Sequence, residues 1–139
     1  MGMPAKLQIP PDDAAREDLL CAIDESRRIL DLPEDWDGEG SPAFMEATWD
    51  RATDFLLHCE SVLLSGASRP LPAPHILPGP DASIDIHWQS SRRELLINIP
   101  DDRDAPITFY GDDFGRDKRK GQIKEGAPDL DLLVWLAAD

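Results

Sequence analysis

Apolar and polar positions change their period twice along this chain. Between Asp12 and Leu30, Leu19, Leu20, Ile23 and Leu30 fall at helical intervals and predict a first helix. Asp12, Asp13, Glu17 and Asp18 sit at its start, where the helix dipole favours negative charge. Arg27 and Arg28 suit the opposite pole, and Pro33 stops the helix. Phe44, Ala47, Ala52, Phe55, Cys59, Val62 and Leu63 repeat the helical spacing and predict a second helix from about Pro42 to Leu64. Ser41 reads as its hydroxyl N-cap, Pro42 as its first turn and Gly66 as its C-terminal cap.

Residues 67–80 hold five prolines, so they predict a stiff, extended crossover. No two of those prolines are three apart, which excludes a PxxP docking motif. The period then becomes two. Ile84, Ile86 and Trp88 alternate with Asp85 and His87; after a polar turn, Leu95, Ile97 and Ile99 alternate with Leu96 and Asn98. This is a β-hairpin with one face on a core. A third strand is predicted over about 106–110, with Ile107 and Phe109 on one face, and a short one near Ile123. The stretch Asp129–Ala138 is apolar almost all round and reads as a terminal helix, either buried or docked on another surface. The expected fold is α+β: two N-terminal helices packed on a three- to four-stranded antiparallel meander, with a short C-terminal helix. It forms one domain over 1–139, divided into a helical half (12–66), the proline-rich crossover (67–80), and the sheet with the last helix (81–139). The face of the sheet away from the helices is expected to be partly exposed.

Charge narrows the partners. The chain has 28 acidic and 14 basic residues in 139, a net charge of −14. Such a field repels phosphates and anionic lipid and attracts basic proteins, so direct nucleic-acid and membrane binding are both disfavoured. Residues 1–66 carry fifteen acids against five bases, and residues 67–139 thirteen against nine, so the acidic surface belongs mainly to the first half. Apolar residues make up 41%, enough for a core. Neither a secretory h-region nor a run of membrane-spanning length is present, so the expected location is the cytoplasm. Cys21 and Cys59 are then free thiols, expected as small core residues.

Several constellations test for chemistry. In the acidic loop Asp35, Asp37 and Glu39 stand at positions one, three and five of a calcium loop, Gly40 at six and Glu46 at twelve. Pro42 at position eight, Pro33 in the entering helix and the lack of a second copy oppose that reading. The bland alternative is a turn with Trp36 tucked into the core and Ser41 capping a helix. A third is a loop presenting Trp36 and carboxylates to a basic partner. Asp85 and Glu94 lie on adjacent predicted strands, but the E-x-K element of a metal nuclease is missing. His58 precedes Cys59, yet neighbours on a helix point about 100° apart. Two Cys and three scattered His do not make a zinc site, and no G-x-S-x-G is present. No catalytic residues, metal or cofactor are assigned. Arg116, Lys118, Arg119 and Lys120 form the basic cluster, read as solvated or as balancing the acids.

The run from Leu32 to Pro42, Leu-Pro-Glu-Asp-Trp-Asp-Gly-Glu-Gly-Ser-Pro, resembles the opening of a family of small uncharacterised bacterial proteins with the pattern L-P-x-x-W-D-x-x-G-[AS]-x-P. Pro74, Pro78, Asp81 and the Ile84–Trp88 strand match the later part, so the resemblance covers about residues 30–100. Here Ser41 and Pro42 are adjacent, one residue tighter than the pattern. The resemblance implies an accessory protein of mobile or defence-associated bacterial genes, without enzymatic activity.

The leading expectation is therefore a non-catalytic acidic accessory factor, an adaptor or an antitoxin-like or immunity-like protein, that contacts a basic partner protein. Glu34, Asp35, Trp36, Asp37 and Glu39 would meet the basic surface, and Leu132, Trp135 and Leu136 would anchor it by burial. The alternatives are a nucleic-acid mimic that blocks a DNA- or RNA-binding protein and, less favoured, a calcium-binding module. The oligomeric state is left open.

Overall fold

The computed structural model describes residues 11–115 and 117–138. Residues 1–11, with three prolines, read from the sequence as an extended lead-in; residues 1–10 and Arg116 of the basic cluster lie outside the described residues, and Pro11 already belongs to the first helix. Helix α1 (Pro11–Ser26) tightens into a 3-10 turn over Arg27–Asp31 before Pro33. It buries Leu19, and the turn buries Ile29. The Ser26 hydroxyl donates to the Ile23 carbonyl at 2.6 Å and accepts the Trp49 indole N–H at 2.8 Å, tying α1 to the next helix.

Helix α2 (Glu46–Ala67) starts four residues later than the Ser-Pro signal suggests. Ser41 does not cap it: its hydroxyl donates to Asp37, and the cap position is Met45, extended and without a side-chain cap bond. The far end also differs from expectation. Ser68, not Gly66, takes the left-handed conformation (φ +52°), and its N–H donates to the Leu64 carbonyl at 3.0 Å. Gly66 lies inside the helix, where a Cβ would stand 2.7 Å from a methyl carbon of Leu130. Its missing side chain makes room for the last helix.

The sheet has five antiparallel strands in sequence order: β1 (His75–Pro78), β2 (Ile84–Gln89), β3 (Glu94–Ile99), β4 (Ile107–Asp112) and β5 (Lys118–Ile123). The expectation of three to four strands is corrected here. The second half of the proline-rich crossover is an edge strand, and the charged stretch before Ile123 pairs with β4 along its full length. Backbone pairing, not an apolar alternation, builds β5, whose only buried residue is Ile123.

Pleating sends Ile84, Ile86, Trp88, Leu95, Ile97, Ile99 and Ile107 to one face, where all are buried. The helices cover that face. Helix α1 contacts β1, α2 crosses β2 and β3, and α3 (Leu130–Ala137) packs on α2. Asp129 caps α3 by accepting the Leu132 N–H at 3.1 Å, as the sequence suggests. The other face is open, and the register sets His75, His87, Leu96, Tyr110 and Lys120 side by side across it.

Arg51 is a buried charge that the fold fully occupies. Its guanidinium donates to Glu125 at 2.7 Å and to the carbonyls of Pro100, Asp102 and Ala105 at 2.9, 3.1 and 3.1 Å. It thereby pins the β3–β4 loop and the segment after β5 to α2. The two cysteines separate: Cys59 is buried, whereas Cys21 lies off the buried stripe of α1 and is exposed, contrary to the expectation that both fill the core.

Candidate functional site

The acidic loop is closed by its own groups. Asp35 takes the left-handed conformation (φ +61°), donates its N–H to the Ser41 carbonyl at 2.7 Å and accepts the Gly40 N–H at 2.6 Å. Asp37 accepts the Glu39 N–H at 2.9 Å and the Ser41 hydroxyl. Those bonds, the Ser41 hydroxyl foremost and the Glu39 N–H next, hold the Asp37 carboxyl below the ordinary aspartate range. Gly38 and Gly40 supply the positive φ values, +75° and +82°, that the turn requires. Asp35 and Asp37 thus bond within the loop while remaining exposed, and Glu34 and Glu39 are exposed beside them. Among the described residues no group of three or more His, Cys, Asp or Glu is arranged to hold a metal ion. A calcium reading would have to compete with the loop's own hydrogen bonds.

This closure aims Trp36. The half-buried ring packs on Phe44, centroids 6.1 Å apart and tilted by 48°. Its indole N–H is shut from solvent and has no acceptor among the described residues, whereas Trp49 and Trp88 give theirs to Ser26 and to the Pro72 carbonyl. Trp36 forms part of the wall of a groove of about 590 Å³. Ala22, Glu25, Ser26, Arg28, Ile29, Asp31 and Leu32 line its helical side, and Pro74 to Pro78 its sheet side. The size is that of a ligand-binding cleft. The lining is chiefly apolar, with Glu25 and Asp31 as its acids and Arg28, 3.9 Å from Glu25, as its base.

The second group of expected contact residues lies elsewhere and mostly faces inward. Leu132 and Leu136 are 3% and 8% exposed and belong to the core, so in this fold they have little surface to offer a partner. Trp135 is half-buried against Gly111 of β4, with the guanidinium carbons of Arg93 and Arg119 at 5.6 and 5.0 Å from its ring centroid. The apolar tail is therefore anchored in its own molecule, and the structure does not join it to Trp36. Conversely, sequence reading missed the groove's sheet side, because Pro74–Pro78 reads as a crossover; the one available signal was His-Ile-Leu between two prolines.

Other polar groups do not converge on chemistry. Asp85 stands opposite Asn98, which donates to it at 2.8 Å, while Glu94 stands opposite Gln89, four residues further along β2 and thus roughly 13 Å away. Glu94 instead pairs with His87 at 3.0 Å. Burial pushes the Cys59 thiol up to about 12, and His58 beside it in sequence is exposed. Asp50, Asp54, His58, Arg103 and Glu125 surround a shallower polar hollow of about 310 Å³. No helix among the described residues is long and apolar enough to cross a membrane. No protein-family model, curated protein or solved structure matches this chain, so the reading of its site rests on the geometry above.

Proposed function

We propose that this chain is a non-catalytic acidic accessory factor, adaptor-like, antitoxin-like or immunity-like, that binds a basic partner protein in the cytoplasm. One observation carries the reading: a chiefly apolar groove, walled by Trp36 with an N–H unpartnered among the described residues, opens beside Glu25 and Asp31 and next to the 34–39 loop. Apolar lining supplies affinity, and the surrounding carboxylates speed association and select against acidic competitors. Glu34 and Glu39 extend the acidic rim, while Asp35 and Asp37 hold the loop that presents Trp36. The resemblance of residues 30–100 to accessory proteins of bacterial defence and mobile genes points the same way. The test is capture from the organism that encodes the chain. A stoichiometric basic protein should be retained at low salt, released as salt rises, and lost with Trp36→Ala. Recovery of no such protein would remove the reading.

A second reading, a nucleic-acid mimic, has one observation in its favour. Glu46, Asp50 and Asp54 are exposed on α2 at four-residue intervals, a line of carboxylates about 6 Å apart. Competition with duplex DNA for the captured partner, abolished by Asp50→Asn with Asp54→Asn, would select it.

A further inference from the structure

We infer that the groove takes its partner by strand addition: an extended, basic segment of the partner pairs with the outer edge of β1 as a sixth strand. This rests on the protein-binding reading and specifies its mode. The meander has two edges, β1 and β5. The β5 edge carries Lys118, Arg119 and Lys120, charges of the kind that guard a sheet against further pairing. The β1 edge, His-Ile-Leu-Pro, carries no lysine, arginine or carboxylate; Pro78, and Pro74 before the strand, remove outward donors, while the outward carbonyls of Pro74, Ile76 and Pro78 remain as acceptors. It pairs with β2 on one side, and among the described residues no backbone hydrogen bond from outside the sheet reaches it.

The groove follows this edge. Five consecutive residues, Pro74 to Pro78, line it, although alternate side chains of a strand point to opposite faces. A hollow that touches both sets runs along the strand's rim. Its neighbours define the occupant. A strand on that rim needs donors and acceptors of its own, which a polypeptide backbone supplies. One side chain in two turns towards Ile29, Leu32 and Ile76, so it is apolar. Arg28 in the same lining pairs with Glu25, so Asp31 and the chain's net charge of −14 are what call for lysine or arginine in the segment. On docking, the Trp36 ring turns to give its N–H to a carbonyl of the incoming chain. Pro74 precedes the strand and Pro78 ends it, so the added ladder is short, about 13 Å for four residues. That length suits reversible pairing with one segment and resists unlimited sheet growth.

The probe is a short synthetic peptide of alternating valine and lysine, followed by amide NMR of the full chain. In the free protein the outward amide of Ile76 should exchange quickly; Pro74 and Pro78, the other outward positions, have no N–H. With peptide, that amide and the Trp36 indole should shift together and become protected. N-methylating every second residue of the peptide should abolish binding in one phase and spare it in the other, because only alternate N–H groups face β1. Trp36→Phe, which keeps the apolar ring and removes the donor, should weaken binding roughly three- to tenfold. Glu25→Gln with Asp31→Asn should weaken it and flatten its salt dependence. Four outcomes overturn strand addition: no binding, shifts confined to other surfaces, equal loss from both methylation phases, or an Ile76 amide already protected in the free chain because a second copy or residues 1–10 fill the edge. A basic partner captured from the host alongside any of these leaves the protein-binding reading standing. Peptide pairing on β1 without any host partner removes that reading instead.

Discussion

At the scale of single residues, environment decides what each side chain contributes. The two thiols show this most simply. Desolvation lifts Cys59 to about 12, while Cys21 lies on the exposed side of α1. Iodoacetamide at neutral pH should therefore alkylate Cys21 and leave Cys59 untouched, and both should react in denaturant. Two adducts on the native chain, read by mass spectrometry, would contradict this burial. Asp37 titrates in the opposite sense. Its carboxyl is held low in the folded chain, chiefly by the Ser41 hydroxyl. The stabilisation it provides is thus present above the ordinary aspartate value, about 4, and is lost as pH falls through the lower folded value. Acid should loosen the 35–41 turn, moving the amides of Glu39, Gly40 and Ser41 together below about pH 4. Asp37→Asn should remove most of that pH dependence, and unchanged amide shifts down to unfolding would count against the turn.

Between elements, the joints are made by few groups. The buried Arg51 holds three backbone carbonyls and one carboxylate, so its loss unties the β3–β4 loop and Glu125 from α2. Arg51→Met should cost about 3 kcal/mol, and Arg51→Lys nearly as much, since one ammonium cannot span four acceptors. Denaturant unfolding measures both; a cost below about 1 kcal/mol would place the joint elsewhere. The α3 joint works by shape. Gly66 admits Leu130, and Gly111 admits Trp135, whose ring carbons would stand 3.0 Å from a Cβ there. Arg93 and Arg119 then cover the ring. A segment that reads as greasy all round is accommodated by two missing side chains and two guanidinium groups.

On the scale of the whole molecule, the net charge of −14 sets two opposed effects. It draws in a basic partner over long range and strains the folded chain by self-repulsion. Added salt should therefore act in opposite directions. Between about 0.01 and 0.15 M ionic strength the Debye length shrinks from about 30 to 8 Å, so Tm should rise while association with the partner weakens. Scanning calorimetry across that range checks the first half; a flat or falling Tm would mean that ion pairs such as Arg16–Glu60 outweigh repulsion.

The sequence by itself determined the elements whose physics is local. Period-two alternation marks β2 and β3, helical spacing marks α1 and the body of α2, and the apolar run after Asp129 marks α3. It also determined the acid excess and the turn that aims Trp36, because Gly38 and Gly40 permit positive φ and Asp35 and Asp37 supply acceptors. Tertiary structure alone decided the rest. Strand β1 has no pattern of its own and exists because β2 offers it a ladder; β5 likewise follows β4. Whether the leucines of α3 meet solvent or core depends on Gly66 and Gly111, far away in the chain. The groove belongs to neither half of the sequence: it is the gap left between the 3-10 turn after α1 and the outer edge of a strand some forty-five residues later.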